Sequence, residues 1–211
     1  MKKELQYFKV DNDYGFDQQK FSNLIMKIGG CAAVTACDSF IYFKKYMGLE
    51  KLYQGNEKTV SKEDYIAFSN IIKPYLHPRI NGINSLDIYI KGVNSYLSDV
   101  GETRLKLVTF SGNENTQNAK DFIISQINDG YPIPSLILRH SNSAMKDFVW
   151  HWFLITGYEI IDDVTMVKVV SYGEYKWLNL NTVWNTGYSR KGGLIKFKIN
   201  NFVRSDDHIA P

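Results

Sequence analysis

A cysteine that follows two glycines and precedes small, apolar residues is placed for nucleophilic chemistry. Cys31 stands in Gly29-Gly30-Cys31-Ala32-Ala33-Val34-Thr35-Ala36, where the first turn of a buried helix is expected to begin. A thiol there faces the positive end of the helix dipole and backbone N–H groups that lack helical partners. Both favour the thiolate. A free thiol is nonetheless mostly protonated at neutral pH and needs a base beside it. Four histidines are available. His77 falls in a helix-ending turn before Pro78, His208 in a polar tail, and His140 at the end of a strand beside Ser141-Asn142-Ser143. His151 lies where a polar loop enters the apolar run Trp152-Phe153-Leu154-Ile155, the place from which a side chain can emerge into a cleft. Trp150 and Trp152 are expected on the opposite face of that strand. His151 is therefore the base of choice, although a histidine in an apolar strand is equally consistent with a satisfied core residue.

The elements that must position this pair follow from periodicity. Ala33, Val34, Cys37, Phe40 and Ile41 recur at helical spacing after Gly30, and Gly48 stands where a helix stop belongs. Ser61 and Asp64 form a capping-box pattern before a helix carrying Tyr65, Phe68, Ile71 and Ile72 inward. A third helix is expected over about 86–100 with Ile90, Val93 and Leu97 inward, and a fourth over 119–127 with Ala119, Phe122, Ile123 and Ile127 on one face. Residues 104–110 alternate as a strand. Beyond Gly130 five strands are expected, over 133–138, 150–160, 164–170, 175–180 and 194–199. Asp162-Asp163 reads as a hairpin turn. Residues 1–22 read as a lead-in with a short extended piece near 5–10. Helices before strands predict an α+β fold, a helical lobe over about 1–130 beside an antiparallel β lobe over about 131–211, in a single domain of 211 residues with a cleft between the lobes.

Composition narrows the function classes. Hydrophobic residues make up 44% and charged residues 22%, as in an ordinary globular chain, and the net charge of +3 gives no case for nucleic acid. No apolar run spans a bilayer and no apolar stretch follows the basic N-terminus, so neither a membrane span nor a signal peptide is expected and the location is read as cytoplasmic. Cys31 and Cys37 are the only cysteines and would point to different sides of one helix, so no disulfide is expected. Phosphate-binding glycine loops, paired zinc histidines and the serine elbow are absent. Asp11, Asp13 and Gly15 lack the other ligands of a calcium loop. No cofactor is expected.

The stretch Gly30–Ala36 resembles the nucleophile motif of papain-like cysteine peptidases, with Ala32 in place of the usual aromatic, Val34 of Phe and Thr35 of Ser. Small residues after the cysteine are closer to the bacterial branch that processes bacteriocin leaders. His151-Trp152-Phe153-Leu154-Ile155-Thr156-Gly157-Tyr158 is similar to the histidine motif of that branch, and residues 127–133 are similar to the segment that precedes it. The resemblance implies a papain-like fold in which a Cys31 helix packs on the β lobe. It implies a thiol hydrolase, a cysteine peptidase acting on a peptide or protein, with Cys31 as nucleophile and His151 as general base. Two positions depart from the family. Val170 stands where an Asn or Asp would orient the histidine; Ser171, in the Ser171-Tyr172-Gly173 turn, is the nearest substitute, with Glu174, Asn179 and Asn181 in reach. The glutamine expected before the cysteine is Ile25 here; Asn23 is the nearest amide for the oxyanion, followed by Gln19 and Gln18, though Asn23 equally suits the cap of a turn. Alternatives are a catalytically impaired peptide-binding protein on the same fold and a transglutaminase- or amidase-type acyl transferase.

Overall fold

Alternating apolar residues in the second half and long amphipathic segments in the first assemble around one sheet. The computed structural model describes residues 1–79 and 82–200. In chain order the elements are β1 (Lys2–Glu4), β2 (Lys9–Val10), β3 (Asp13–Tyr14), α1 (Leu24–Gly29), α2 (Cys31–Met47), α3 (Lys62–Ile72), α4 (Leu86–Asp99), β4 (Leu105–Ser111), α5 (Thr116–Asn128), β5 (Ile133–Ile137), β6 (His151–Ile161), β7 (Val164–Ser171), β8 (Glu174–Asn179), α6 (Leu180–Trp184) and β9 (Gly193–Ile199). Short 3-10 turns at Gln18–Lys20 and Ser143–Phe148 flank the region of interest. The main sheet has seven strands in the order β4-β9-β5-β6-β7-β8, with β1 added along β6 beyond the end of β5. Every pairing in it is antiparallel. The fold class is α+β.

The helix that carries Cys31 is a core element. From Cys31 to Phe43 only Val34 escapes full burial, because the segment has no lysine before Lys44 and its single acid, Asp38, is partnered internally. Phe43 packs edge-on against Phe197 of β9, ring centroids 4.8 Å apart, and Phe40 stacks on Tyr96 of α4 at 5.0 Å. Helix and sheet thereby share one core. Gly48, at φ 66°, ends the helix in the left-handed conformation, as its position suggests.

Other expectations hold with shifts. Ser61 and Asp64 make the capping box in both directions, yet Ile71 of α3 is exposed while Tyr65, Phe68 and Ile72 face inward. In α4 the buried face is Tyr89, Val93, Tyr96 and Leu97, and Ile90 is only half-buried. α5 starts at Thr116, with the Asn115 side chain as its cap, and Phe122 lies at the edge of its buried face. Asp162 and Asp163 both adopt positive φ, the twist of a tight hairpin. β1 and β4 precede residue 130 but join the sheet formed by the later strands, so the sheet is not confined to residues beyond 130. α1 and α6 lie where no helix is expected. No helix among the described residues is long and apolar enough to cross a membrane, and no cluster of three or more acidic, histidine or cysteine side chains among them suits a metal ion. Cys31 and Cys37 are both free thiols.

Candidate active site

Gly29 and Gly30 bring α1 directly into α2. A Cβ on Gly30 would press into the Met26 carbonyl, and one on Gly29 into the backbone of Arg79. The pair therefore allows a close backbone approach that places Cys31 at the first position of α2, beneath the α1 turn. The thiol is 4% exposed. Backbone N–H groups of Trp152, Ala32 and Cys31 itself favour its charged form, but burial outweighs them and raises the thiol above its ordinary range. The dipole geometry expected for Cys31 is present; the net preference for thiolate is not.

His151 opens β6, directly after Trp150. Trp150 is not part of the strand: its φ of 55° turns it outward, 40% exposed, so it does not alternate with His151 as expected. Trp152 does the anchoring. Its ring stacks on Tyr89 at 4.4 Å and its indole N–H donates to the Ile83 carbonyl at 2.6 Å. With Trp152 fixed in the core, the neighbouring imidazole borders the cleft that Cys31 also lines. Burial lowers the His151 pKa to about 4, against a smaller opposing influence of Asp147. At neutral pH thiol and imidazole are thus both uncharged.

Both imidazole nitrogens have partners. Nε2 lies 2.6 Å from Ser171 Oγ, and Nδ1 lies 3.3 Å from the Tyr172 hydroxyl. The Tyr172 ring stacks on the imidazole with centroids 4.6 Å apart and planes 6° from parallel. Tyr172 and Gly173 have φ of 54° and 74°, the tight turn between β7 and β8 that places Ser171 and Tyr172 side by side over His151. The single Tyr172 hydroxyl proton has two acceptors at 3.3 Å, His151 Nδ1 and the Asp147 carbonyl. Burial and the neighbouring Cys31 raise the phenol to about 12, so it is a neutral group throughout the physiological range. No hydrogen bond joins thiol and imidazole among the described residues; Tyr172 holds the nitrogen that Ser171 leaves free.

Cys31, His151 and Tyr172 line one cleft of about 470 Å³, together with Gln18, Ile28 and Arg190. A narrow recess of about 10 Å³ continues inward from the same three residues toward Asp38, near the lower limit for a single water. A larger open hollow of about 600 Å³ along α4 has neither a cysteine nor a histidine in its walls.

The remaining candidates distribute as follows. Asn23 caps α1, its side-chain oxygen accepting from the Met26 N–H at 3.1 Å, and it lines neither the cleft nor the recess. Of the three amides considered, Gln18 is the one in the cleft: it is 6% exposed and donates to the Lys27 carbonyl at 2.9 Å. Gln19 lines a separate hollow with Glu174 and Asp147. Asn179 caps α6 through Asn181 and Thr182, and Val170 is buried opposite Leu154. His140 is held by the Thr182 carbonyl and the Asn142 N–H, His77 is exposed, and His208 lies outside the described residues. Tyr172 and Arg190 were not singled out as site residues from the sequence. For Tyr172 a signal existed, its place in a Ser-aromatic-Gly turn; for Arg190 there was none.

No family model matches the chain, and no curated protein matches it.

Proposed function

We propose that the protein is a thiol-dependent hydrolase of the papain-like type, a cysteine peptidase cleaving a peptide or amide bond. The observation that carries this reading is the convergence of a cysteine at a helix start and a histidine at a strand start on one cleft, with the histidine held from behind by Ser171. Cys31 Sγ attacks the substrate carbonyl while His151 Nδ1, once Tyr172 yields it, takes the thiol proton. The same nitrogen returns that proton to the leaving amine, and water then hydrolyses the thioester. Ser171 fixes the ring through Nε2, the task an amide performs in the family. The Cys31 N–H and the Gln18 side-chain amide are the donors for the oxyanion. A neutral pair fits a proton that moves during attack rather than a preformed ion pair.

Alkylation tests the pair. Cys31 is expected to react with iodoacetamide at neutral pH faster than free cysteine, and the acceleration is lost in His151→Ala. Peptide-library cleavage followed by mass spectrometry is expected to give hydrolysis products that disappear in Cys31→Ala; products carrying an added amine would instead assign acyl transfer. The raised thiol, lowered imidazole and engaged Nδ1 favour one second reading, a peptide-binding protein with an impaired site. Slow labelling of Cys31 combined with intact peptide binding in Cys31→Ala would select it.

A further inference from the structure

The cleft above Cys31 is asymmetric in a way that bears on what it binds. One wall is α1, six residues long, three of whose apolar side chains face solvent while Met26 is buried: Leu24, Ile25 and Ile28 are 67%, 56% and 63% exposed. Spacings of three and four place them on one ridge, and Ile28 lines the cleft itself. The other wall is Trp150 with Arg190 beside it. Trp150 adopts a left-handed backbone conformation that a bulky aromatic rarely takes, and β6 does not require it, since the strand begins one residue later. Its consequence is an indole displayed at the cleft instead of buried in the sheet.

Among the described residues Arg190 is the one charged side chain lining the cleft, and no acidic side chain lines it. Its guanidinium centre lies 5.9 Å from the Trp150 ring centroid, at the outer reach of a cation–π contact, and it makes no ion pair among the described residues. Asp147 and Glu174, the nearby acids, open instead into the neighbouring hollow beyond Tyr172. A planar cation beside an aromatic ring, with no acid partner among the described residues, suits a carboxylate, which it can engage through two parallel N–H donors.

We propose that Arg190 is a specificity residue that selects peptides carrying a carboxylate next to an apolar side chain, the apolar group lying between Ile28 and Trp150 and the carboxylate on the guanidinium. This rests on the reading of Cys31 as the reactive group of the cleft. It adds a charge requirement that the Cys31–His151 pair alone does not contain.

Two haloacetates separate the inference from its premise. Iodoacetate is an anion and iodoacetamide is neutral, while both alkylate the same sulfur. The ratio of their rates at Cys31 is expected to fall about fivefold or more in Arg190→Gln, as when a focusing charge is removed from a cleft, and to fall likewise in wild type when salt is raised to about 1 M. Unaccelerated labelling by both reagents removes the nucleophile reading; normal labelling with a ratio indifferent to Arg190→Gln overturns the charge requirement alone. A binding arm decides the matter without any chemistry at sulfur. Cys31→Ala, titrated by NMR with N-acetyl-leucyl-glutamate and N-acetyl-leucyl-glutamine, both as C-terminal amides so that only the first carries a carboxylate, is expected to prefer the acid about tenfold, equivalent to ~1.4 kcal/mol, and to lose that preference when Arg190→Gln is added. Equal binding of the two dipeptides, or binding of neither, overturns the proposal.

Discussion

Two buried polar centres lie on the same face of α2, seven residues or about two turns apart, and they are built to opposite standards. At Asp38, 3% exposed, both carboxylate oxygens are used: Tyr65 donates to Oδ1 at 2.6 Å and Tyr7 to Oδ2 at 2.7 Å, with the Phe16 N–H close by. The three partners come from α3 and from two parts of the N-terminal segment, so this acid ties that segment to the helix. At Cys31 and His151 the partners are incomplete. The thiol has only backbone N–H groups, one imidazole contact is long, and both groups border a cleft. A satisfied network stabilises one structure. An incomplete one leaves groups that a ligand can engage, and this contrast, more than burial or pKa, separates the candidate active site from its neighbour.

The largest expected effect sharpens the contrast directly. On the proposed reading, His151→Ala is expected to slow Cys31 alkylation and turnover of the folded protein by about 10²–10⁴-fold, the usual weight of a general base, beyond the stability cost of removing a buried ring stacked on Tyr172. Asp38→Ala is expected to act on stability alone. It strands the Tyr7 hydroxyl, leaves Tyr65 only the Val34 carbonyl at 3.1 Å, and costs on the order of 2–4 kcal/mol, read from urea unfolding, while the labelling rate of the folded protein holds. A variant at Asp38 that loses labelling without losing stability would break the distinction.

The pH dependence of stability separates the two centres by sign. Burial raises Asp38 to about 7, above the unfolded value of roughly 4. Its stabilising contribution is therefore full below about pH 4 and is lost as pH rises toward 7. His151, lowered to about 4, contributes fully above its unfolded value of about 6.5 and loses that contribution as pH falls toward 4. Between these limits the two oppose each other. Asp38→Asn is expected to remove the loss on the alkaline side, so that the stability advantage of wild type over the variant shrinks from pH 4 to pH 7 in parallel denaturation curves.

Smaller effects test the imidazole's partners. Ser171→Ala is expected to slow Cys31 labelling about tenfold, the order of one well-formed hydrogen bond, because the ring keeps its place but loses its tether at Nε2. Tyr172→Phe keeps the stack and frees Nδ1. It is expected to raise the labelling rate about threefold, the weight of one weak hydrogen bond. A decrease would instead make the phenol an obligatory part of the proton path.

Features governed by near neighbours were readable in advance. The α2 helix between Gly30 and Gly48, the capping box at Ser61, the Asp162-Asp163 turn and the strand periodicity of β5–β9 all depend on residues within one or two turns or across a tight hairpin. α1 was unreadable for a physical reason: it is short, and apart from Met26 its apolar residues face outward, against the pattern by which a helix is recognised. Asn23 and Gln18 show the same limit at the site. Both amides precede Cys31 at plausible spacing, but one is consumed by a helix cap and the other is folded into the cleft by the 3-10 turn, and sequence distance does not distinguish those outcomes.

The sequence by itself determined that a cysteine would open a buried helix and that a histidine would open an apolar strand, since glycine punctuation and hydrophobic period act locally. Only the tertiary structure decided that the two share a cleft, that Ser171 and Tyr172 take the two imidazole nitrogens, and that Ile28, Trp150 and Arg190 form its walls. Those side chains come from segments more than a hundred residues apart, and what brings them together is the packing of α2 against β6, which no one stretch of chain encodes.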